Sequence, residues 1–237
     1  MSQYLTRFVS SKKIAKDTIF FTFEKPAGFS YLAGQCVDVT ILKPKYEDDR
    51  GDTRSVTLVS APKDLHIAIA MRMRDSAFKK NLSSLALGDN IKIDGPYGSF
   101  TYNKSEAWEP VFIAGGIGIT PVISILSELG DNFFEKITLL YSNRDLESFA
   151  FLEELKSKAQ DNENFKLVTT ITSQKAHNWD GPSGRIDCAF LKRHVKGLDK
   201  KVFYISGSVD FVVSIRNLLL DMGIFDENIR TDEMAGY

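Results

Sequence analysis

Ala114-Gly-Gly-Ile-Gly-Ile-Thr-Pro121 sets three glycines directly after the apolar run Val111-Phe-Ile-Ala114 and ahead of a helical pattern. Glycines let backbone approach an anion closely, and the N–H groups that open a helix point toward it, so the spacing suits a nucleotide pyrophosphate. Pro121 stands where the usual dinucleotide fingerprint has a third glycine; its missing N–H would have no helical partner in a first turn. Read alone, the run serves equally as a tight connection. No ribose-binding acid follows at about 20 residues, and the next apolar run ends in Tyr141-Ser-Asn-Arg144. A second anion site is written at Ser76, a helix N-cap, with Lys79 one turn on. Arg54-Ser-Val-Thr57 taken singly is a strand with one cation, Gly95-Pro-Tyr-Gly98 a turn, and Asp232-Glu-Met-Ala-Gly-Tyr237 a frayed chain end.

The elements around these residues change character near residue 105. Before it, short β-rich runs dominate: Asp17–Phe23, Gln35–Ile41, Arg54–Val59 and Leu65–Met71. In the last, Leu65, Ile67, Ile69, Met71 and Met73 share one face. Such runs with Gly/Pro punctuation predict an antiparallel barrel or sandwich, interrupted by one helix from Ser76 to about Leu85. After residue 105 strands alternate with helices: strands at Val111–Ala114, Ile137–Tyr141, Phe165–Thr170 and Val202–Ile205. The helices run to Leu129, over Ser148–Ala159, Ile186–Val195 and Val209–Met222. That alternation predicts a parallel sheet with right-handed crossovers.

The 237 residues suit two modest domains, 43% of them apolar and thirty basic against thirty-one acidic, so no global attraction to nucleic acid or membrane is expected. Charge divides along the chain. Residues 1–104 hold sixteen Lys and Arg against eleven Asp and Glu, and residues 105–237 hold fourteen against twenty. A basic first half suits phosphates or an acidic protein partner, or is simply a solvated face. Two cysteines, Cys36 and Cys188, exclude a disulfide scaffold, a four-cysteine zinc site and a cysteine-ligated iron–sulfur cluster. With no basic-then-apolar leader and no run of about 18 apolar residues, the chain reads as cytoplasmic.

In their order along the chain, Arg54-x-x-Thr57, Gly95-Pro-Tyr-Gly98, the glycine run, Tyr141-Ser-Asn-Arg144, Tyr204-Ile-Ser-Gly207 and a terminal Glu resemble the ferredoxin–NAD(P)H reductase family. The resemblance covers essentially the whole chain, and Trp179-Asp-Gly-Pro-Ser-Gly-Arg-Ile186 is similar to a segment of bacterial members. It implies an antiparallel β-barrel flavin domain at 1–104 and a parallel α/β, Rossmann-like nicotinamide-nucleotide domain at 105–237. It also implies FAD, NADH or NADPH, and a separate acceptor such as an acidic ferredoxin, a flavodoxin or a small oxidant. A non-catalytic nucleotide-sensing or electron-transfer subunit is the rival.

Position by position, the resemblance makes Arg54 the partner of a flavin phosphate, with Ser55 and Val56 in the same cofactor-binding run. Val56 stands where tyrosine is usual. Thr57 brings a hydroxyl near flavin N5. Met71, Arg72 and the segment Ser76, Ala77, Phe78 and Lys79 form the second flavin contact, favouring FAD over FMN. Gly116, Ile117, Gly118, Thr120, Arg144 and Gly207 face the coenzyme; the position of Arg144 suits a 2′-phosphate, the pyrophosphate or plain solvation equally. Ser206 replaces the family's cysteine beside the nicotinamide. Thr57, Ser206 and Glu233 are the catalytic set, and Met234 and Tyr237 are expected to cover the flavin ring.

Overall fold

A computed structural model describes residues 2–104, 108–173 and 179–234. Six strands build the first half: β1 (Gln3–Ala15), β2 (Thr18–Glu24), β3 (Cys36–Ile41), β4 (Thr53–Thr57), β5 (His66–Arg72) and β6 (Asn90–Tyr97). They pair antiparallel in the order β4-β3-β6-β1-β2-β5. The chain leaving β4 closes the ring, because Leu58 bridges Ile69 antiparallel and the Val59 N–H donates to the Ala68 carbonyl at 2.8 Å. Closure removes the free strand edges that invite aggregation. Alternation supplies the core: Val37, Val39 and Ile41 point inward from β3 while Cys36, Asp38 and Thr40 stay half-buried. Helix α1 (Ala77–Ser83) adds Phe78 and Leu82, four residues apart and both fully buried.

Two sequence expectations change here. Leu65 is 87% exposed and precedes β5, whereas Ala68 and Ala70 are buried with the inward set, so this strand is covered on both faces. Gly95 and Pro96 lie within β6 rather than forming a separate turn.

The second half holds β7 (Glu109–Gly115), β8 (Ile137–Asn143), β9 (Phe165–Ile171), β10 (Lys201–Gly207) and β11 (Ile229–Glu233), all parallel, in the order β11-β10-β7-β8-β9. The helices are α2 (Thr120–Leu129), α3 (Leu152–Asp161), α4 (Cys188–His194) and α5 (Val209–Asp221). Val212, Ile215 and Leu219 of α5 pack with Phe190 and Leu191 of α4 against Val111, Ile113, Phe203 and Ile205 of the sheet. Helix α3 starts four residues later than its pattern predicts, since Ser148 belongs to a 3-10 turn capped by Asp145 and Phe151 adopts φ 59°. Strand β11 carries the chain through Glu233, and the remainder of the expected frayed end, 235–237, lies outside the described residues. Parallel pairing gathers the carboxyl ends of all five strands at one edge, and the order reverses between β7 and β10, where open α/β sheets bind ligands.

The chain forms two compact units: residues up to Tyr102 together with Ile123–Glu128, and Asn103–Val122 together with Leu129 onward.

Candidate functional site

In the barrel unit, charge concentrates where β4 meets α1. Arg54 Nη1 donates to the carbonyls of Arg50, Gly51 and Thr53 at 2.8, 3.0 and 2.6 Å. Its Cζ stands 5.4 Å from the centre of the Phe78 ring. Nη2 is buried and has no hydrogen-bond partner among the described residues; Asp48 Oδ1 lies 3.8 Å away, an ion pair without a hydrogen bond. Lys79 is 6% exposed, and its Nζ donates to the Arg72 carbonyl at 2.7 Å. Burial first, then the charges of Arg74, Arg50, Arg54 and Arg72, push the Lys79 amine down to about 8. A buried lysine amine with four arginines near it is an arrangement that a bound anion would relieve. The donors fit a diphosphate: planar guanidinium, ammonium and one buried N–H group still without an acceptor. A cavity of about 480 Å³ opens beside them, lined by Tyr46, Met73, Arg74, Lys79 and Lys80.

The helix start contributes less than its sequence suggests. The Ala77 N–H donates to Asp48 Oδ2 at 2.8 Å, and the Lys79 N–H to the Ser76 N-cap hydroxyl at 3.3 Å. Those two donors are occupied by the chain itself. The Ala77 N–H, with Arg50 and Arg54, holds the Asp48 carboxyl below the usual carboxylate range. Asp48 sits in a run of three acids, Glu47-Asp-Asp49, and nothing in that run distinguishes it. The Val56, Met71 and Phe78 side chains are at most 4% exposed and pack inside the barrel, which leaves their backbone as the part that faces outward. Ser55 is exposed, donating from Oγ to Cys36 Sγ at 3.6 Å, while Arg72 and Thr57 are half-buried at the ends of β5 and β4.

In the α/β unit the glycines work by close approach. Gly116 has φ +57° and opens a 3-10 turn, Gly116–Ile119, that runs into α2. A Cβ on Gly118 would lie 2.4 Å from the Ser206 carbonyl oxygen, and one on Gly115 or Gly207 within 2.9 or 2.8 Å of the Phe211 ring. Gly118 seats the turn on β10, and the buried Thr120 hydroxyl donates to the Ile117 carbonyl at 3.1 Å. Ile117 and Gly116 remain half-buried. Arg144 is exposed, its carbonyl accepting from the Ser173 N–H at 2.8 Å. At the same edge a cavity of about 260 Å³ is lined by Ser142, Thr172, Arg185, Asp210, Phe211 and Ser214.

Ser206 is fully buried, and the parallel register sets it opposite Asp232. Its hydroxyl donates to Asp232 Oδ2 at 3.3 Å; burial pushes that carboxyl up, and the Ser206 hydrogen bond partly offsets the shift. Asp232 is thus the acid that meets Ser206, while Glu233 is exposed at the end of β11. The Met234 N–H donates to the Gly207 carbonyl at 2.9 Å, and Tyr237 lies outside the described residues. Only the β11 register, invisible in a charged Ile-Arg-Thr-Asp-Glu run, distinguishes the two acids.

Comparison with known proteins gives the same two halves. Residues 6–102 match the oxidoreductase FAD-binding domain family and residues 112–217 the oxidoreductase NAD-binding domain family. A component of the Na(+)-translocating NADH-quinone reductase of Idiomarina loihiensis is 33% identical over 159 residues, 65% of this chain and 39% of that protein. The chain thus spans about two fifths of that relative. Reductase component 1 of terephthalate 1,2-dioxygenase from Comamonas sp is 25% identical, covering 98% of this chain and 68% of that protein. A ferredoxin NADP+ reductase from Neisseria gonorrhoeae, solved with FAD and NADP, superposes with a TM-score of 0.81 at 21% identity over 98% of both chains. Among the described residues no helix is long and apolar enough to cross a membrane.

Proposed function

From membership of the ferredoxin–NAD(P)H reductase family, to which this FAD-dependent NAD(P)H oxidoreductase belongs, we propose that the chain draws electrons from NADH or NADPH and delivers them to a separate acidic redox protein. Bound FAD supplies the conversion of one hydride into single-electron steps. Arg54 and Lys79 neutralise the flavin diphosphate, and the Thr57 hydroxyl lies within the flavin site. Arg144 reaches the adenosine side of the coenzyme. Residues 1–104 serve as the flavin domain and 105–237 as the coenzyme domain. The observation that carries the reading is the buried Arg54 Nη2, without a hydrogen-bond partner among the described residues, beside a lysine whose amine burial and then the neighbouring arginines push down.

The acceptor follows from composition. No four-cysteine ligand set exists among these 237 residues, which favours an acceptor centre outside them. The basic first half favours an acidic ferredoxin or flavodoxin over a neutral oxidant. Cysteines that stand as thiols, Cys36 and Cys188, suit a reducing compartment, the cytoplasm.

An anaerobic titration tests this. The expected result is a yellow protein whose released flavin has the mass of FAD, which NADH or NADPH bleaches and an acidic ferredoxin reoxidises, more slowly as salt rises. Bound flavin that neither coenzyme bleaches would mean a nucleotide-sensing role without catalysis. Protein that neither carries nor accepts flavin would overturn the reading.

A further inference from the structure

Asn143 ends β8 at the carboxyl edge of the parallel sheet and is 5% exposed. Its carbonyl accepts from the Thr172 N–H at 2.9 Å and from the Thr172 hydroxyl at 3.4 Å. Its side-chain Nδ2 is buried and donates to no group among the described residues. A buried amide left without an acceptor carries the full desolvation cost of the group, so an apolar side chain of similar size would serve folding better. The amide that carries this orphan lies at the glycine turn: a Cβ on Gly116 would stand 3.9 Å from its Oδ1, and rotation of the amide about its Cβ–Cγ bond exchanges Oδ1 and Nδ2 at that place. Gly116 opens the turn into α2, and a pyrophosphate at such a turn brings oxygens that lack donors.

We propose that Asn143 is a coenzyme-binding residue, donating its amide N–H to a pyrophosphate oxygen of NADH or NADPH. The inference rests on the coenzyme reading of this unit and adds a side-chain donor to a turn otherwise built from backbone. Because the pyrophosphate is common to both coenzymes, the contact is blind to the 2′-phosphate. The neighbouring Arg144, exposed one residue later, differs in being the group suited to that phosphate.

The test is calorimetric binding of ADP-ribose, NAD+ and NADP+ to flavin-loaded wild-type, Asn143→Ala and Asn143→Asp proteins, with urea denaturation of each. Asn143→Ala should weaken all three ligands by about tenfold, the order of one hydrogen bond to a charged group. Asn143→Asp should weaken them further, since a carboxylate then faces the pyrophosphate. Asn143→Ala should unfold at a urea concentration no lower than wild type. Unchanged affinities, a loss confined to NADP+, or an Asn143→Ala protein that fails to fold would each overturn the proposal, the last by showing a structural amide. Wild-type protein that binds none of the three ligands would overturn the coenzyme reading itself.

Discussion

The two cradles solve different problems with different chemistry. The barrel gathers cations, Arg54 and Lys79 with Arg50, Arg72 and Arg74 around them, and accepts a depressed lysine as the consequence. Among its described residues the α/β unit offers no such cluster at the glycine turn. There Gly115, Gly118 and Gly207 let backbone and the Phe211 ring close up, and one buried amide waits without an acceptor. Desolvated charges give a tight hold that discourages release, which suits a resident flavin. Neutral N–H groups suit a coenzyme that must leave after every turnover.

The largest effect expected is at Gly118. Its Cβ would meet β10 backbone at 2.4 Å, which cannot rotate away as a side chain can. Gly118→Ala should cost about 3 kcal/mol of stability and abolish coenzyme binding, measured by urea denaturation and calorimetry. Barrel-bound flavin spectra that persist while the coenzyme is lost would sharpen the division.

Arg54→Ala should lose about a hundredfold in flavin affinity, near 2.7 kcal/mol, read as the ratio of flavin to protein absorbance after purification. Arg54→Lys should retain part of it, since lysine keeps the charge and loses the planar fork. Full occupancy in Arg54→Ala would place the anion elsewhere and dissolve the contrast between the cradles.

A smaller effect appears in pH. The folded Lys79 titrates near 8, below its unfolded value of 10.5, so between those limits the unfolded chain binds the extra proton. Flavin-free protein should therefore gain stability as pH rises from about 8 to 10.5, and Lys79→Met should flatten that rise in denaturant midpoints. The smallest effect belongs to the exposed Arg144. Arg144→Ala should shift the NADPH-to-NADH preference by about fivefold, the scale of an exposed charge pair, and equal loss with both coenzymes would refute the 2′-phosphate role.

Much of this was legible from residue order, and the gaps have physical causes. The glycine turn, the Ser76 cap and the amphipathic α5 follow from local chemistry. Strand β1 escaped because its buried positions include Thr6 beside Phe8 and most of its length is exposed. Strand β6 carries Gly95 and Pro96, which read as punctuation, and β11 buries only Ile229. The site residues that went unread, Asp48, Asp232 and Asn143, depend on long-range register or on a missing partner. Val56, Met71 and Phe78 show the converse: position within a motif does not say which face of a strand or helix turns inward.

Proton uptake tests the contrast between a charged and a neutral cradle most directly. Binding at pH 9, measured by calorimetry in buffers of different ionisation enthalpy, compares FAD added to flavin-free protein with ADP-ribose added to flavin-loaded protein. A diphosphate beside Lys79 should restore its proton, so FAD binding should take up a large fraction of one proton, lost in Lys79→Met, while ADP-ribose takes up none. No uptake with FAD, or equal uptake with both ligands, would contradict the account.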